Sequence, residues 1–324
     1  MTQLYRLATL PHGNPNSLED FETYDLTPID HEYPGRFAKK ANHVFRSLDL
    51  PIGFAMVVAD PKEADAVYDN FRKDPKYRGG GTGSGFKNKA PAFLDVLDPL
   101  ARRIDAVNVV VKKDGALHGY NTDGTGFVFG LKELFAWEKD IHSLMGAKVL
   151  LVGAGGTADA IAFALAGELV QLDIVNRTAE KAVKLAERIT HTLGIRATGY
   201  GEDALARLVP DADIIINAST KSAEGPLKDF AALSSADGDL EHNLRDSERV
   251  IATAKRSAVV CDVNLRDSVS PTLSLAKQYG LLTQDGRAMN FHQAVEALWL
   301  IHADDFRTQE ADKRTVARLI EAVS

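Results

Sequence analysis

Two hydrophobic rhythms divide the chain. In the first 125 residues, short apolar runs alternate with helical spacing: "ETYDLTPI" (22–29) and "IGFAMVVA" (52–59) read as strands, while "RFAKKANHVFRSL" (36–48) and "PKEADAVYDNFRK" (61–73) repeat apolar residues three and four apart. "AFLDVLDPLARRI" (92–104) predicts another helix. In "AVNVVVKKDGALHGYN" (106–121) two β-rich runs flank Lys113-Asp114-Gly115, a hairpin signal. "TDGTGFVFGLKELFAWE" (122–138) returns to helical spacing and is suited to bridging two domains. From Lys148 the alternation turns regular, with strands "KVLLVGAG", "LDIVNR" and "ADIIINAS" separated by helices "TADAIAFALAGEL" and "AEKAVKLAERITHTL". That order predicts a parallel, doubly wound sheet. "LSSADGDLEHNLRDSERVIATA" (233–254) is polar and expected at the surface, "AVVCDVNL" (258–265) adds a strand, and "SPTLSLAKQYG" (270–280) and "NFHQAVEALWLIHADDF" (290–306) add closing helices.

Composition changes this picture little. The 324 residues exceed the roughly 250–300 at which a single core stops growing, so two domains are expected. Lys+Arg 38 against Asp+Glu 45 gives a net charge of -7 without a long basic block, which argues against nucleic acid or an anionic membrane as partner and for a small molecule. The single cysteine, Cys261, excludes an intrachain disulfide framework and fits a reducing compartment. The first 25 residues lack the basic start and apolar core of a signal peptide, and no apolar run approaches the ~18 residues of a membrane span. A cytoplasmic location is the expectation.

The sharpest chemical signal lies between strand "KVLLV" and the helix after it. Gly153, Gly155 and Ala158, with Ala154, Gly156 and Thr157 between them, satisfy G-x-G-x-x-[GA] in the context that pattern requires. Small residues let backbone approach a pyrophosphate, and the helix start supplies unpaired N–H groups and the positive end of a dipole. An NAD site usually has an acidic residue at the tip of the next strand. Here that tip reads Asn176, Arg177, Thr178, with Lys181 three residues on, whereas Asp173 sits inside the strand. Two cations and a polar amide suit a 2′-phosphate, so NADP(H) is expected over NAD(H).

"GGGTGSGFKNK" (79–89) invites a phosphate reading and fails it. Phe86 separates Gly85 from Lys87 and Asn88 stands where a P-loop has Ser or Thr, so the spacing is not that of a P-loop. Residues downstream give the segment its context. At "AVNVVVKKDGALHGYNTDGTGF" the chain resembles the shikimate/quinate dehydrogenases, and the likeness continues through "VGAGGTADAIAFALA", "VNRTAEKA", "ADIIINAS" and "DGRAMNFHQAVEAL". The resemblance implies an α/β protein of two domains: a substrate domain over 1–123 completed by helices in 287–324, and a Rossmann NADP-binding domain over 124–286. It implies an NADP(H)-dependent oxidoreductase that interconverts a hydroxyl and a ketone on a shikimate- or quinate-like cyclic hydroxy acid, a step of aromatic amino acid biosynthesis, in a monomer or homodimer. By position, Lys87 and Asp123 would be the catalytic pair, Lys87 standing 21 residues ahead of Asn108 at the family's register. Lys89, two residues on, is the rival base. Hydride transfer from an alcohol needs a group to take the hydroxyl proton, and a lysine tuned by burial or neighbouring charge can do so. The resemblance further places Asn108, Asp123 and Gln293 against substrate hydroxyls, and Ala218 and Met289 against the cofactor.

Three family contacts are missing. The S-x-S-P segment is replaced by Gly35, Arg36, Phe37 and Ala38, the threonine of N-V-T-x-P-x-K by Gly83, and a strand-end tyrosine by Leu265. Arg36 is a candidate carboxylate clamp in place of the serines, and Thr82 and Ser84 are candidates for the lost threonine. These losses leave the choice among shikimate, quinate and another hydroxy acid open. They also keep alive a second reading, a non-catalytic NADP(H)-binding or sensing module that has lost the shikimate site.

Overall fold

A computed structural model of the chain describes residues 4–9, 14–32, 35–83, 85–139, 143–168, 170–236 and 238–324. Two compact units divide it, one made of Met1–Thr122 with Phe291–Ser324 and the other of Asp123–Asn290.

The first unit runs β1 (Arg6–Leu7), β2 (Thr23–Ile29), α1 (Arg36–Ser47), β3 (Ile52–Val58), α2 (Ala64–Lys73), β4 (Tyr77–Gly81), β5 (Val96–Leu97), α3 (Pro99–Ile104), β6 (Val109–Lys113) and β7 (Ala116–Tyr120). These strands form a seven-stranded mixed sheet in the order β1-β3-β2-β4-β6-β7-β5. Alternation along β3 decides the layers. Ala55 and Val57 join Val67, Tyr68 and Phe71 of α2, whereas Phe54 and Met56 join Val44 and Phe45 of α1 on the opposite face. The β6–β7 hairpin closes through Asp114 (φ 52°) and Gly115 (φ 80°), the two positive-φ residues of a type I′ turn.

The glycine run begins as a strand: Gly79, Gly80 and Gly81 lie in β4, between β2 and β6. Gly80 adopts φ 147°, and a Cβ there would stand 2.1 Å from the Leu26 carbonyl oxygen, so only glycine fits. The segment 92–104 is not one helix but a turn of 3₁₀ helix at Ala90–Phe93, then β5, then α3. Asp98 ends the extended stretch by accepting from Leu100 N and Ala101 N at the start of α3, with Pro99 in the first turn. Asp95 is tied across the sheet by Leu117 N at 2.7 Å.

The second unit opens with α4 (Asp123–Lys139) and continues β8 (Lys148–Val152), α5 (Gly156–Ala166), β9 (Gln171–Val175), α6 (Ala179–Leu193), β10 (Ala197–Tyr200), α7 (Leu205–Leu208), β11 (Ile214–Asn217), α8 (Leu240–Ile251), β12 (Val259–Asp262), α9 (Pro271–Gln278) and β13 (Leu282–Gln284). Its six strands are all parallel in the order β10-β9-β8-β11-β12-β13, the doubly wound Rossmann arrangement. α10 (Gly286–Thr308) begins in this unit and ends in the first, where α11 (Lys313–Glu321) completes the chain's helices. The polar stretch expected at the surface is largely exposed and contains α8, a helix its pattern did not announce. Asp239 caps that helix by accepting from His242 N, and buried Asn243 grips Ala231 through bonds of 2.8 and 3.1 Å. Buried amide bonds here replace the apolar stripe that a pattern search detects.

Candidate active site

In the second unit the glycine motif turns between β8 and α5 as the sequence predicts. Gly153 has φ 123°, and a Cβ on it would meet the Ala218 carbonyl oxygen at 2.5 Å, so the ends of β8 and β11 touch backbone to backbone. This is where the strand order reverses, the place at which open α/β sheets bind ligands. Gly155 is the N-cap of α5 without a side-chain cap, and a Cβ on it would meet nothing within 4 Å. A helix start whose N–H groups lack a side-chain acceptor, beside an open backbone face, fits a pyrophosphate. Asp159, the acid of that first turn, is paired with Arg188 at 2.8 Å; burial raises its pKa and Arg188 pulls against that rise.

The tip of β9 fits a 2′-phosphate in the same way. Asn176 folds back on the Thr178 carbonyl at 3.0 Å, while Arg177, Thr178 and Lys181 are exposed. Among the described residues neither cation is paired with a carboxylate. Asp173 lies mid-strand opposite Leu150 and Thr198, and burial raises its pKa, so it offers no carboxylate at the tip. Ala154 and Thr157 are half-buried, Gly156 is exposed and Ala158 is buried in α5. Ala218 N bonds Val152 O at 2.8 Å, and Met289 is buried in the first turn of α10.

In the first unit, backbone bonds staple the segment after β4 to the start of β6. Thr82 N donates to Asn108 O and Val107 N to Lys87 O, each at 3.0 Å. Lys87 is half-buried, whereas Lys89 is exposed with its ammonium on the Pro61 carbonyl at 2.8 Å. The Thr82 hydroxyl is buried and donates to Val107 O, so its proton is used within the fold instead of facing a ligand. Ser84 lies outside the described residues. Asn108 Oδ1 accepts the Thr122 backbone N–H at 2.9 Å, and its Nδ2 donates to Thr122 Oγ1 at 3.0 Å and Gln293 Oε1 at 3.3 Å. Asp123 comes next in the chain and is buried in the first turn of α4.

The sequence profile of shikimate / quinate 5-dehydrogenase matches residues 136–233. The shikimate dehydrogenase (NADP(+)) of Syntrophomonas wolfei is 37% identical over 219 residues, 67% of this chain and 68% of its own. That of Bacillus cereus strain B4264 is 32% identical over 221 residues, 66% of this chain and 71% of its own. The chain belongs to the shikimate/quinate dehydrogenase family. In fold it is similar to shikimate 5-dehydrogenase from Listeria monocytogenes, solved with shikimate and NAD, at a TM-score of 0.78 and 24% identity over 96% of this chain and 99% of that one. Membership makes it an oxidoreductase of the type that acts on CH–OH groups, and the curated relatives are NADP-dependent.

Where the family has its two serines, this shikimate/quinate dehydrogenase relative has Gly35, the uncapped start of α1, and Phe37. Phe37 meets Phe54 edge-on at 5.0 Å and packs against Val109, Ala297 and Ile301. Arg36 is exposed on the first turn of α1. The family asparagine, Asn42, is retained and structural, bonding Phe54 O at 2.8 Å and Phe54 N at 2.9 Å. Leu265 lies in the loop after β12, on the wall of a cavity of about 260 Å³ that Arg266, Lys277 and Arg287 also line.

Several residues escape a sequence reading. Thr122 is one, its place between Asn108 and Gln293 visible only once α10 is packed on the sheet. Asp262 is another: buried at the end of β12, it accepts from Asn217 at 3.0 Å and Asn264 N at 3.1 Å, and burial raises its pKa against those bonds. A third group is the fully buried His302, with Nε2 2.7 Å from Asp25 and Nδ1 2.9 Å from Asp305.

Proposed function

We propose that the protein catalyses NADP(H)-dependent interconversion of a hydroxyl and a ketone on a shikimate- or quinate-like cyclic hydroxy acid, with Lys87 as general acid/base and Asp123 as its orienting partner. One observation supports this reading: Thr82 N is bonded to Asn108 O and Val107 N to Lys87 O, which ties the backbone of the segment carrying Lys87 to the chain that carries Asn108, itself bonded to Thr122 and Gln293. Lys89 is the weaker candidate because its ammonium is held at the surface by Pro61.

The bound nicotinamide supplies the hydride chemistry. The chain's own part is to position and to move one proton. In the oxidation direction Lys87 Nζ accepts the hydroxyl proton as the ketone forms; in reduction it returns a proton to the nascent alkoxide. Gln293 and Asp123 read the substrate's hydroxyl groups. The first turn of α5 holds the pyrophosphate, and Asn176, Arg177, Thr178 and Lys181 hold the 2′-phosphate. Names of the relatives point to shikimate, while Gly35, Phe37, Gly83 and Leu265 remove side-chain groups that the family uses to grip it. The test is a screen of shikimate, quinate and related hydroxy acids with NADP+ and NAD+, monitoring reduced nicotinamide by absorbance. Turnover of one of them with NADP+ is expected. NADPH binding with no turnover of any would favour a binding or sensing module instead.

A further inference from the structure

Resting on that reading, we propose that Asn108 and Thr122 form a clamp that fixes the Gln293 side-chain amide so that it presents N–H donors, not its carbonyl, to the substrate. Three bonds in series determine the orientation. The Thr122 backbone N–H can only donate, so the Asn108 atom 2.9 Å from it must be the amide oxygen. That assignment turns the Asn108 NH₂ toward Thr122 Oγ1 at 3.0 Å and toward the Gln293 side chain at 3.3 Å. An NH₂ can only donate too, so the Gln293 atom facing it must be Oε1. The NH₂ of Gln293 is thereby aimed to the other side. Thr122 Oγ1 completes the loop: having accepted from Asn108, it directs its own hydrogen to the Gln293 backbone carbonyl at 3.4 Å, binding side chain and helix to one frame. Asn108 and Thr122 are both buried and Gln293 is half-buried, so the frame is shielded from water on the inner side.

Thr122 is therefore a positioning residue, and Asn108 acts through Gln293 in this respect. The chemical consequence is a preference: the substrate atom over Gln293 must accept a hydrogen bond, as a hydroxyl, carbonyl or carboxylate oxygen does and an ammonium does not.

Two variants and one spectroscopic measurement test this. Thr122→Val removes the hydroxyl but keeps the backbone N–H that orders Asn108. Substrate KM should rise about tenfold with kcat changed far less, NADPH affinity should stay as in the parent, and Thr122→Ser should restore KM. Gln293→Glu replaces the presented donor by an oxygen and should raise KM by about a hundredfold or more. Parental KM in Thr122→Val or in Gln293→Glu would overturn the clamp while leaving the proposed reaction intact. Should the chain turn over no hydroxy acid, ¹⁵N relaxation of the Gln293 side-chain NH₂ still decides. The clamp requires a rigid amide in the parent that loosens in Thr122→Val, and an amide equally mobile in both proteins would refute it.

Discussion

His302 and Asp25 are fully buried, and Asp305 and Arg78 extend their charge cluster toward the surface. Asp25 on β2 lies 2.7 Å from Nε2, Asp305 on α10 lies 2.9 Å from Nδ1, and Arg78 on β4 reaches Asp305 at 3.0 Å. Burial pushes the His302 pKa down, but the carboxylates of Asp25 and Asp305 more than reverse this and hold it above the ordinary histidine value. Below that raised value both ring nitrogens donate to carboxylates and the folded state holds an imidazolium. In His302→Leu, Asp305 keeps Arg78, but Asp25 is left as a buried carboxylate without a cation, and its Oδ1 has no partner among the described residues. Removing one member of a buried pair costs about 3–5 kcal/mol. For a unit of this size that corresponds to a melting point lower by ~6–20 °C. The double variant Asp25→Leu, His302→Leu should recover most of the loss, because an apolar pair of similar volume needs no compensation. The raised pKa sets the sign of the pH dependence: the cluster's contribution is complete below about pH 6.5 and is lost as pH rises through the folded-state value. Urea melts of parent and variants by circular dichroism across this range, with ¹⁵N imidazole shifts to track the titration, measure both effects. A His302→Leu cost below about 1 kcal/mol, or a parent that grows more stable relative to His302→Leu as pH rises, would refute the charged cluster.

Other residues give equally direct checks. Gly155→Ala should leave stability within about 0.5 kcal/mol, since its Cβ meets no protein atom, yet weaken NADPH binding at least about tenfold by fluorescence titration. Gly153→Ala should instead lower stability by more than about 2 kcal/mol in a chemical melt, because backbone at Ala218 and Ser219 blocks it. Replacing Arg177 and Lys181 together by Ala should cost NADP+ about tenfold to a hundredfold in affinity and NAD+ almost nothing, measured by parallel titrations. Burial, helped by Arg36 and Lys39, pushes the Lys40 ammonium down to about 8. Between that value and the ordinary lysine value the folded state binds fewer protons than the unfolded, so parent stability should rise with pH there. Lys40→Met should abolish that rise, as urea melts across that pH range would show.

The sequence made the second unit's sheet legible because its strands and helices carry strong, distinct periods and the glycine motif marks one turn without ambiguity. α8 stayed hidden since Asn243 and Ser247 occupy its buried face, where a pattern search looks for apolar residues. The 92–104 segment misled in the opposite way. Its apolar spacing is helical, but Asp98 and Pro99 start a new helix within it and Asp95 is bonded to the sheet. A run of glycines carries no strand period, yet Gly79–Gly81 form β4, where a Cβ at Gly79 or Gly80 would meet the carbonyl oxygens of Val110 on β6 and Leu26 on β2. In the candidate site, family register assigned Lys87 to the same site as Asn108, and the structure bonds Lys87 O to Val107 N, the residue before Asn108. Thr82 was open to misreading, since no local pattern reveals that its hydroxyl turns inward to Val107. The His302–Asp25 contact spans 277 positions and leaves no local trace at all.

The central claim is that Lys87 carries the proton, and the most direct measurement is steady-state turnover of Lys87→Met beside Lys89→Met and the parent, with NADPH affinity measured on all three. General acid/base catalysis by Lys87 predicts a kcat loss of about 10²- to 10⁴-fold in Lys87→Met, near-parental kcat in Lys89→Met and unchanged NADPH binding throughout. Lys87→Met retaining most of the parental kcat would contradict it.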